Sequence, residues 1–452
     1  MSRHSSISSS SLSTKGSAVK KMEVSEGPPG DAEGGEGAAP RGGMGWEMTA
    51  FFLVAQMAGA GFLSLPKGVA NSGWMGVVMI LTFCVGIGFS GTKLGECWVI
   101  LEERWPERFL GGSRQPYMDI AEKSLGRPGR IVALASVVIT LLGGSTVFLI
   151  LMASFMNELI GSVSVCAWVL VMAAVVMPFT WLGTPKDFWQ ASVIAVASTA
   201  IACFVIFIEL MMEIPEDFPP EYRNPTVFSF ALGFGAILFA FGGASVFPTI
   251  QNDMADRSQF SSSIVFAFGG LMIMYLPVAI GGYVVKGYDV AGNILLGVDT
   301  TRWWIKGAIV MEILNLMGTY IISCNPVSQV FEDQLGIEKK FSWRRCVLRS
   351  CIVLGEVVVG LAVPSFDKIL NLIGGSTVTI CSFLLPGIMY LRLCDMKGNW
   401  PKRVVPLWER TALILIVCVG VIGGIVSTAT AIWDILDPDS MGKSCFVEFN
   451  PE

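Results

Sequence analysis

Residues 131–156, 188–208 and 411–433 contain no Asp, Glu, Lys or Arg. Each run matches or exceeds the roughly 20 apolar residues that span the hydrocarbon core of a bilayer as a helix. In that medium a segment must satisfy its own backbone N–H and C=O groups, which a helix does. The whole chain carries the same bias: of 452 residues, 53% are hydrophobic and only 15% charged. Soluble domains average about 25% charged. Mean hydropathy is +0.62. The formal net charge of −5 and the lack of a basic stripe argue against a nucleic-acid partner.

Hydropathy predicts eleven spans, at about 46–70, 73–101, 130–160, 164–182, 188–212, 227–250, 261–285, 305–331, 343–362, 367–391 and 411–436. Loop charge predicts the orientation. If residue 1 lies in the cytosol, the inside loops 104–130, 183–188, 251–260, 332–349 and 392–410 hold 18 Lys/Arg, against 6 in the outside segments. That excess follows the positive-inside rule. An odd number of spans then puts the C-terminal segment 437–452 outside the cytosol. Residues 44–436 form the membrane domain.

Residues 1–43 are rich in Ser, Gly and Glu and have no apolar stretch of the signal-peptide kind. They read as a disordered cytosolic tail, whose serines are either phosphorylation sites or plain solvating residues. The only histidine, His4, lies in that tail, which excludes a histidine relay or a multi-His metal site in the membrane. Cys84, Cys97, Cys203, Cys381 and Cys418 fall within apolar runs and read as small packing residues. Cys166 and Cys445 both fall on outside segments, where a disulfide is open to them. Asn224-Pro225-Thr226 is not a usable glycosylation sequon because of its proline.

The first span is apolar for about ten residues, then meets Gly59, Ala60, Gly61 and, further on, Pro66. The sixth places Gly242 and Gly243 ahead of Pro248. Glycine weakens a helix and proline removes one of its hydrogen bonds. Broken backbone at membrane depth persists where it lines a cavity or is buried in protein. Breaks in the first and sixth of eleven spans predict an all-α membrane protein built as an inverted five-plus-five repeat, with one extra C-terminal helix and a binding site at the repeat interface. Glycines that serve close helix packing are the alternative.

The motifs carry a resemblance. GAGFLSLPKGVANSGW (59–74), PYMDIAEKSLGRPGR (116–130), FAFGGASVFPTIQNDM (239–254), NPVSQVFED (325–333) and NLIGGSTVTICSFLLPGIMYL (371–391) resemble, in order, signatures of the amino acid/auxin permease family. The proton-coupled and vesicular branches look nearest. The resemblance implies a fold like that of the leucine transporter and an amino-acid substrate between spans 1, 3, 6, 8 and 10. It implies that the backbone at Gly59, Ala60 and Gly61, beside Phe62, holds the substrate carboxylate. It implies that carbonyls near Phe241, Gly242, Gly243 and Ala244 face its amino group. Gly143, Gly144 and Ser145 on span 3, with Ala244, leave room for a medium-sized neutral side chain. Two departures stand out: Lys67 follows the Leu-Pro pair, and Ala244 and Ser245 stand where some members carry a histidine. Lys67 either reaches the outer interface or pairs with an acid.

Carboxyls within spans are costly and functional by default. Glu96 lies one turn from Lys93, which makes an internal pair. Glu158, Glu209 and Glu312 fall near predicted span ends and reach the interface. Glu356, in the ninth span, is the most isolated and is the candidate proton relay. Sodium coupling would instead draw oxygens from spans 1 and 8: span 8 offers Thr319 and Ser323, an i, i+4 pair on one helix face, and span 1 offers Gln56 and Met57, with plain helix-packing roles as the alternative. Protons are favoured by the branch resemblance. The expected function is therefore secondary-active, cation-coupled amino-acid transport by alternating access, in the plasma membrane or a vesicular or lysosomal membrane. No cofactor and no catalytic set are expected. The alternative is an amino-acid sensor that signals through the Ser-rich tail. A membrane enzyme lacks any nucleophile or metal motif.

Overall fold

The computed structural model describes residues 43–181, 189–214, 220–337, 341–437 and 445. The tail with His4, and the loop residues Lys186, Glu216, Asp217, Lys339, Lys340 and Lys443, lie outside the described residues.

The described chain is helical, with no strand beyond one isolated bridge between Met44 and Met254. α1 (Trp46–Met57) and α2 (Gly61–Ser72) form one span bent by 59°. α3 (Met75–Arg104) crosses back and α4 (Pro106–Phe109) is a single turn. α5 (Pro116–Ile160) contains a sharp corner at Gly126, whose φ of 74° is open to glycine at little cost. The corner separates a short first segment, buried over residues 116–121, from the long span that Pro128 begins.

α6 (Val165–Trp181), α7 (Trp189–Met212), α8 (Val227–Ala240) and the short α9 (Phe247–Asn252) follow. α10 (Phe260–Lys286), α11 (Trp303–Gln334) and α12 (Trp343–Ala362) come next. α13 (Phe366–Ile373) and α14 (Leu385–Asp395) are joined by two wide, under-wound turns over residues 374–384, and α15 (Leu407–Leu436) ends the membrane domain.

Among the described residues, seven helices are long and apolar enough to cross a bilayer, and the bent α1–α2 pair makes an eighth. The expected eleven spans therefore include three that differ from this standard. α6 has 17 residues and α8 has 14, because its span is broken. α12 has 20 residues but carries Arg344, Arg345 and Arg349. Exposed tryptophans ring both ends of the bundle, Trp303 and Trp433 at one and Trp343 and Trp408 at the other. That is where amphipathic rings sit at a membrane interface.

The packing has the two-fold pattern of a repeat. α2 lies on α8, α3 on α10, α5 on α11 and α6 on α12. These pair span 1 with 6, 2 with 7, 3 with 8 and 4 with 9. The contact between the two broken spans is backbone-close: a Cβ on Gly61 would sit 2.5 Å from Ala240 Cα.

Ion pairs hold the ends. On the face where α1 begins, the Trp46 face, Glu332 of α11 accepts from Arg349 at 2.7 Å and lies 3.1 Å from Arg345. Arg349 also donates to the carbonyl of Thr180 at 2.6 Å, which ties α12 to α6. Buried arginines are tolerable there because each charge is paired. On the opposite face, where α2 ends at Ser72, Lys286 pairs with Glu213 at 2.6 Å and Arg302 with Glu209 at 3.0 Å. Cys166 and Cys445 form a disulfide on that Ser72 face, with Cα atoms 5.6 Å apart.

Candidate functional site

The two breaks converge on one cavity with about 480 Å³ of empty space, part of it continuous with solvent. Its wall includes Gln56, Met57, Gly59, Ala60 and Gly61 from the first break, and Phe239, Gly242 and Ser245 from the second. α5 contributes Thr140, Leu141, Gly144 and Phe148, while Ser323 comes from α11 and Val378 from the wide turns. No charged side chain lines it. A second cavity shares Leu141 and Ser245 with it and runs past Thr249 and Pro326 to Arg114 and Gln115 on the Trp46 face. Toward the Ser72 face, α2 packs on α8.

Chain geometry explains the exposed backbone. The first turn of α2 begins at Gly61, so its leading N–H groups have no carbonyl a turn earlier to bond. They carry the positive end of the helix dipole. At the other break, Phe241 O accepts from Gly243 N at 2.9 Å and Gly243 O from Val246 N at 3.1 Å. These turn bonds leave the carbonyls of Gly242 and Ser245, two residues of the cavity wall, without a backbone donor. The fully buried Tyr275 of α10 joins the two breaks, with its hydroxyl 2.9 Å from Met57 O and 3.1 Å from Ala240 O.

Of the residues expected at the site, Gln56, Met57, Gly59, Ala60, Gly61, Gly144, Gly242 and Ser323 line the cavity. Phe62, Phe241, Gly243 and Ala244 do not. Phe62 and Phe241 are fully buried, and Phe241 stacks on Phe268 with ring centres 6.1 Å apart. A Cβ on Gly243 would meet Met57 Cγ at 2.6 Å. Thr140 and Phe148 were not expected, yet they lie four residues either side of Gly144, and helical period places all three on one face. The wide turn that presents Val378 leaves no mark in the sequence. Thr140 fixes it there, through a 2.8 Å hydrogen bond to Thr377.

Gln56 Nε2 donates to Ser323 Oγ at 3.1 Å, so spans 1 and 8 do meet. Thr319 lies near Gly59, but its hydroxyl donates back to Asn315 O at 3.0 Å. Glu356 is buried one layer behind the cavity, 2.6 Å from Ser145 Oγ and 2.5 Å from Tyr320 Oη. The internal pair of Lys93 and Glu96 is formed at 2.8 Å, and Glu409 of α15 joins it at 2.7 Å. Lys67 donates to the carbonyl of Tyr288 at 3.3 Å, with Asp367 and Asp289 near enough to attract it. Glu312 does not reach the interface as its span position suggested. It is fully buried against Asn315.

A helical membrane bundle whose first and sixth spans break around one uncharged cavity has the architecture of a secondary transporter. The chain belongs to the family described as transmembrane amino acid transporter protein, whose profile matches residues 42–433. It is similar to amino acid transporter AVT1B of Arabidopsis thaliana, 24% identical over 397 residues that cover 85% of this chain and 70% of that protein. It is similar to AVT1J of the same plant, 23% identical over 412 residues that cover 88% and 92%. Its fold matches a crystal structure of an Eremococcus coleocola manganese transporter mutant. The TM-score there is 0.57 at 13% identity, over 89% of this chain and 90% of that one.

Proposed function

We propose that this protein carries neutral amino acids across a membrane by alternating access, coupled to protons. The observation that carries the proposal is the uncharged cavity between the two helix breaks. In this reading the free N–H groups at Gly59–Gly61 hold the substrate carboxylate. The Gly242 carbonyl takes the ammonium group, and the side chain rests against Thr140, Gly144, Phe148 and Val378. A wall without charge favours a neutral side chain, because a buried unpaired charge is costly.

The cytosol lies on the Trp46 face. The loops richest in Lys and Arg end there. The disulfide on the other face fits an oxidising compartment. The second cavity, which reaches Arg114 on that face, supports reading this conformation as inward-facing. The membrane is the plasma membrane or a vesicular or lysosomal one.

Glu356 is the coupling group nearest the site. Ser145 Oγ has one hydrogen and three acceptors within reach, Glu356 Oε1 at 2.6 Å, Leu141 O at 2.9 Å and Leu142 O at 3.0 Å. When Glu356 is ionised, the hydroxyl turns to the carboxylate. When Glu356 is protonated, it donates to Ser145, which donates to Leu141. Both patterns are satisfied, so the proton can come and go without leaving an orphaned group.

Uptake of labelled amino acids into proteoliposomes tests the proposal. Saturable uptake of neutral amino acids, driven by an imposed pH gradient, is expected. No uptake across the twenty common amino acids, or uptake driven only by sodium, contradicts it.

One contact favours the sensor as a second reading. Met44 N donates to Asp253 O and Ala255 N donates to Met44 O, each at 3.0 Å, so the segment leading from the tail is fastened to the end of α9. Deleting residues 1–42 separates the readings: a transporter keeps its turnover, whereas a sensor keeps ligand binding and loses its partner.

A further inference from the structure

Glu312 of α11 is a second carboxyl deep in the bundle, and its surroundings differ from those of Glu356. Its Oε1 accepts from Asn315 Nδ2 at 3.3 Å, and the same amide donates to Thr199 Oγ1 of α7 at 2.9 Å. Its Oε2 has no hydrogen-bond partner, and neither has Asn315 Oδ1. The titratable groups that face it are Cys203 of α7 and Tyr275 of α10, neither of which supplies positive charge. No Lys or Arg among the described residues forms an ion pair with it.

Hydrogen-bond arithmetic then decides the chemistry. An ionised Glu312 would be a buried anion with no counter-charge and one oxygen unsatisfied, an expensive arrangement. Two acceptor oxygens on residues already in contact lack one donor hydrogen between them. A carboxylic acid O–H is one donor. We propose that Glu312 is a proton-binding site of this protein, protonated on Oε2 in the inward-facing state and distinct from Glu356.

The site borders the moving parts. Asn315 is one turn from Thr319, whose methyl group lies 3.9 Å from the Cβ position of Gly59. Tyr275 binds Met57 O at the end of α1, and α7 packs directly on α1. Displacement of α1 therefore changes what Glu312 faces. The O–H bond forms with a proton taken from water on one side and breaks to water on the other, with no net chemistry. This role rests on the transport reading, in which it makes Glu312 a second coupling group.

The full chain in liposomes tests it by infrared difference spectroscopy across a pH step, alongside gradient-driven accumulation and equilibrium exchange of a labelled neutral amino acid. The wild type should show the carbonyl band of a protonated carboxyl that titrates. Glu312→Gln should lose that band and gradient-driven accumulation while keeping exchange. Glu312→Asp should restore the band at a shifted frequency, which separates loss of the acid from loss of folding. The Glu356 carboxyl gives its own band, which persists in Glu312→Gln; a difference spectrum unchanged by Glu312→Gln, or full accumulation by that variant, overturns the proposal. A wild type without the band overturns it whether or not amino acids are taken up. A band with no uptake of any amino acid upholds the proton site and refutes the transport reading.

Discussion

The hydroxyl of Tyr275 sits 2.9 Å from the carbonyl of Met57, where α1 ends, and the same hydroxyl reaches Ala240 where α8 ends. One phenol from α10 therefore sits between the ends of both broken helices, its single hydrogen shared by the two carbonyls. Tyr275 is itself fully buried, so its hydroxyl has no water to turn to.

Tyr275→Phe should leave those two carbonyls without their donor while changing shape little. Stability should fall by about 1–3 kcal/mol, the cost of a buried unsatisfied polar group. Thermal unfolding of the purified protein measures it. Transport should slow as well, because the two breaks lose their common anchor. An unchanged melting temperature would show that the phenol oxygen is not bonded to the breaks.

Two glycine substitutions should part company. A Cβ at Gly61 would meet Ala240 Cα at 2.5 Å, whereas one at Gly144 would meet nothing within 4 Å. Gly61→Ala should therefore separate α2 from α8 and destabilise the fold by about 1–3 kcal/mol, the usual overpacking cost. Gly144→Ala should fold normally and trim the cavity, raising KM for larger amino acids while sparing smaller ones. Competition uptake across side-chain sizes checks it, and equal effects on all sizes would remove Gly144 from the binding wall.

Ser145→Ala and Glu356→Gln should both flatten the pH dependence of uptake, the first by removing one of the two alternative hydrogen-bond patterns and the second by removing the proton site. Substrate binding should persist in both, since neither side chain lines the cavity. Uptake rates measured across pH at fixed gradient decide it. A wild-type pH profile in Glu356→Gln would exclude that carboxyl from coupling.

Breaking the disulfide should reveal orientation. After mild reduction of intact cells or sealed vesicles, a membrane-impermeant thiol reagent should label Cys166 and Cys445 only from the non-cytosolic side. Cys166→Ser should cost about 2–4 kcal/mol of stability, as for a native cross-link. Labelling from the cytosolic side would reverse the topology.

The helix breaks were legible in the sequence because Gly59, Gly61 and Gly242 combine with nearby prolines to spoil helix locally, and local rules are what a sequence exposes. The face of α5 was legible in principle through the spacing of Thr140, Gly144 and Phe148. Depth was harder to read. Glu312 falls ten residues into α11, near a predicted span edge, yet tertiary packing encloses it completely. Phe241 and Gly243 belong to the expected motif but pack inward, because the turn at residues 241–246 aims successive residues in different directions. The under-wound turns at 374–384 depend on contacts with Thr140 and the backbone of α8, which no local pattern encodes.

A structure solved with a neutral amino acid bound locates both charged ends of the substrate. The carboxylate should lie within hydrogen-bonding distance of the N–H groups at Gly59–Gly61 and the ammonium group beside the Gly242 carbonyl. A substrate bound elsewhere, or bound in that cavity with its carboxylate turned toward Gly242, would contradict it.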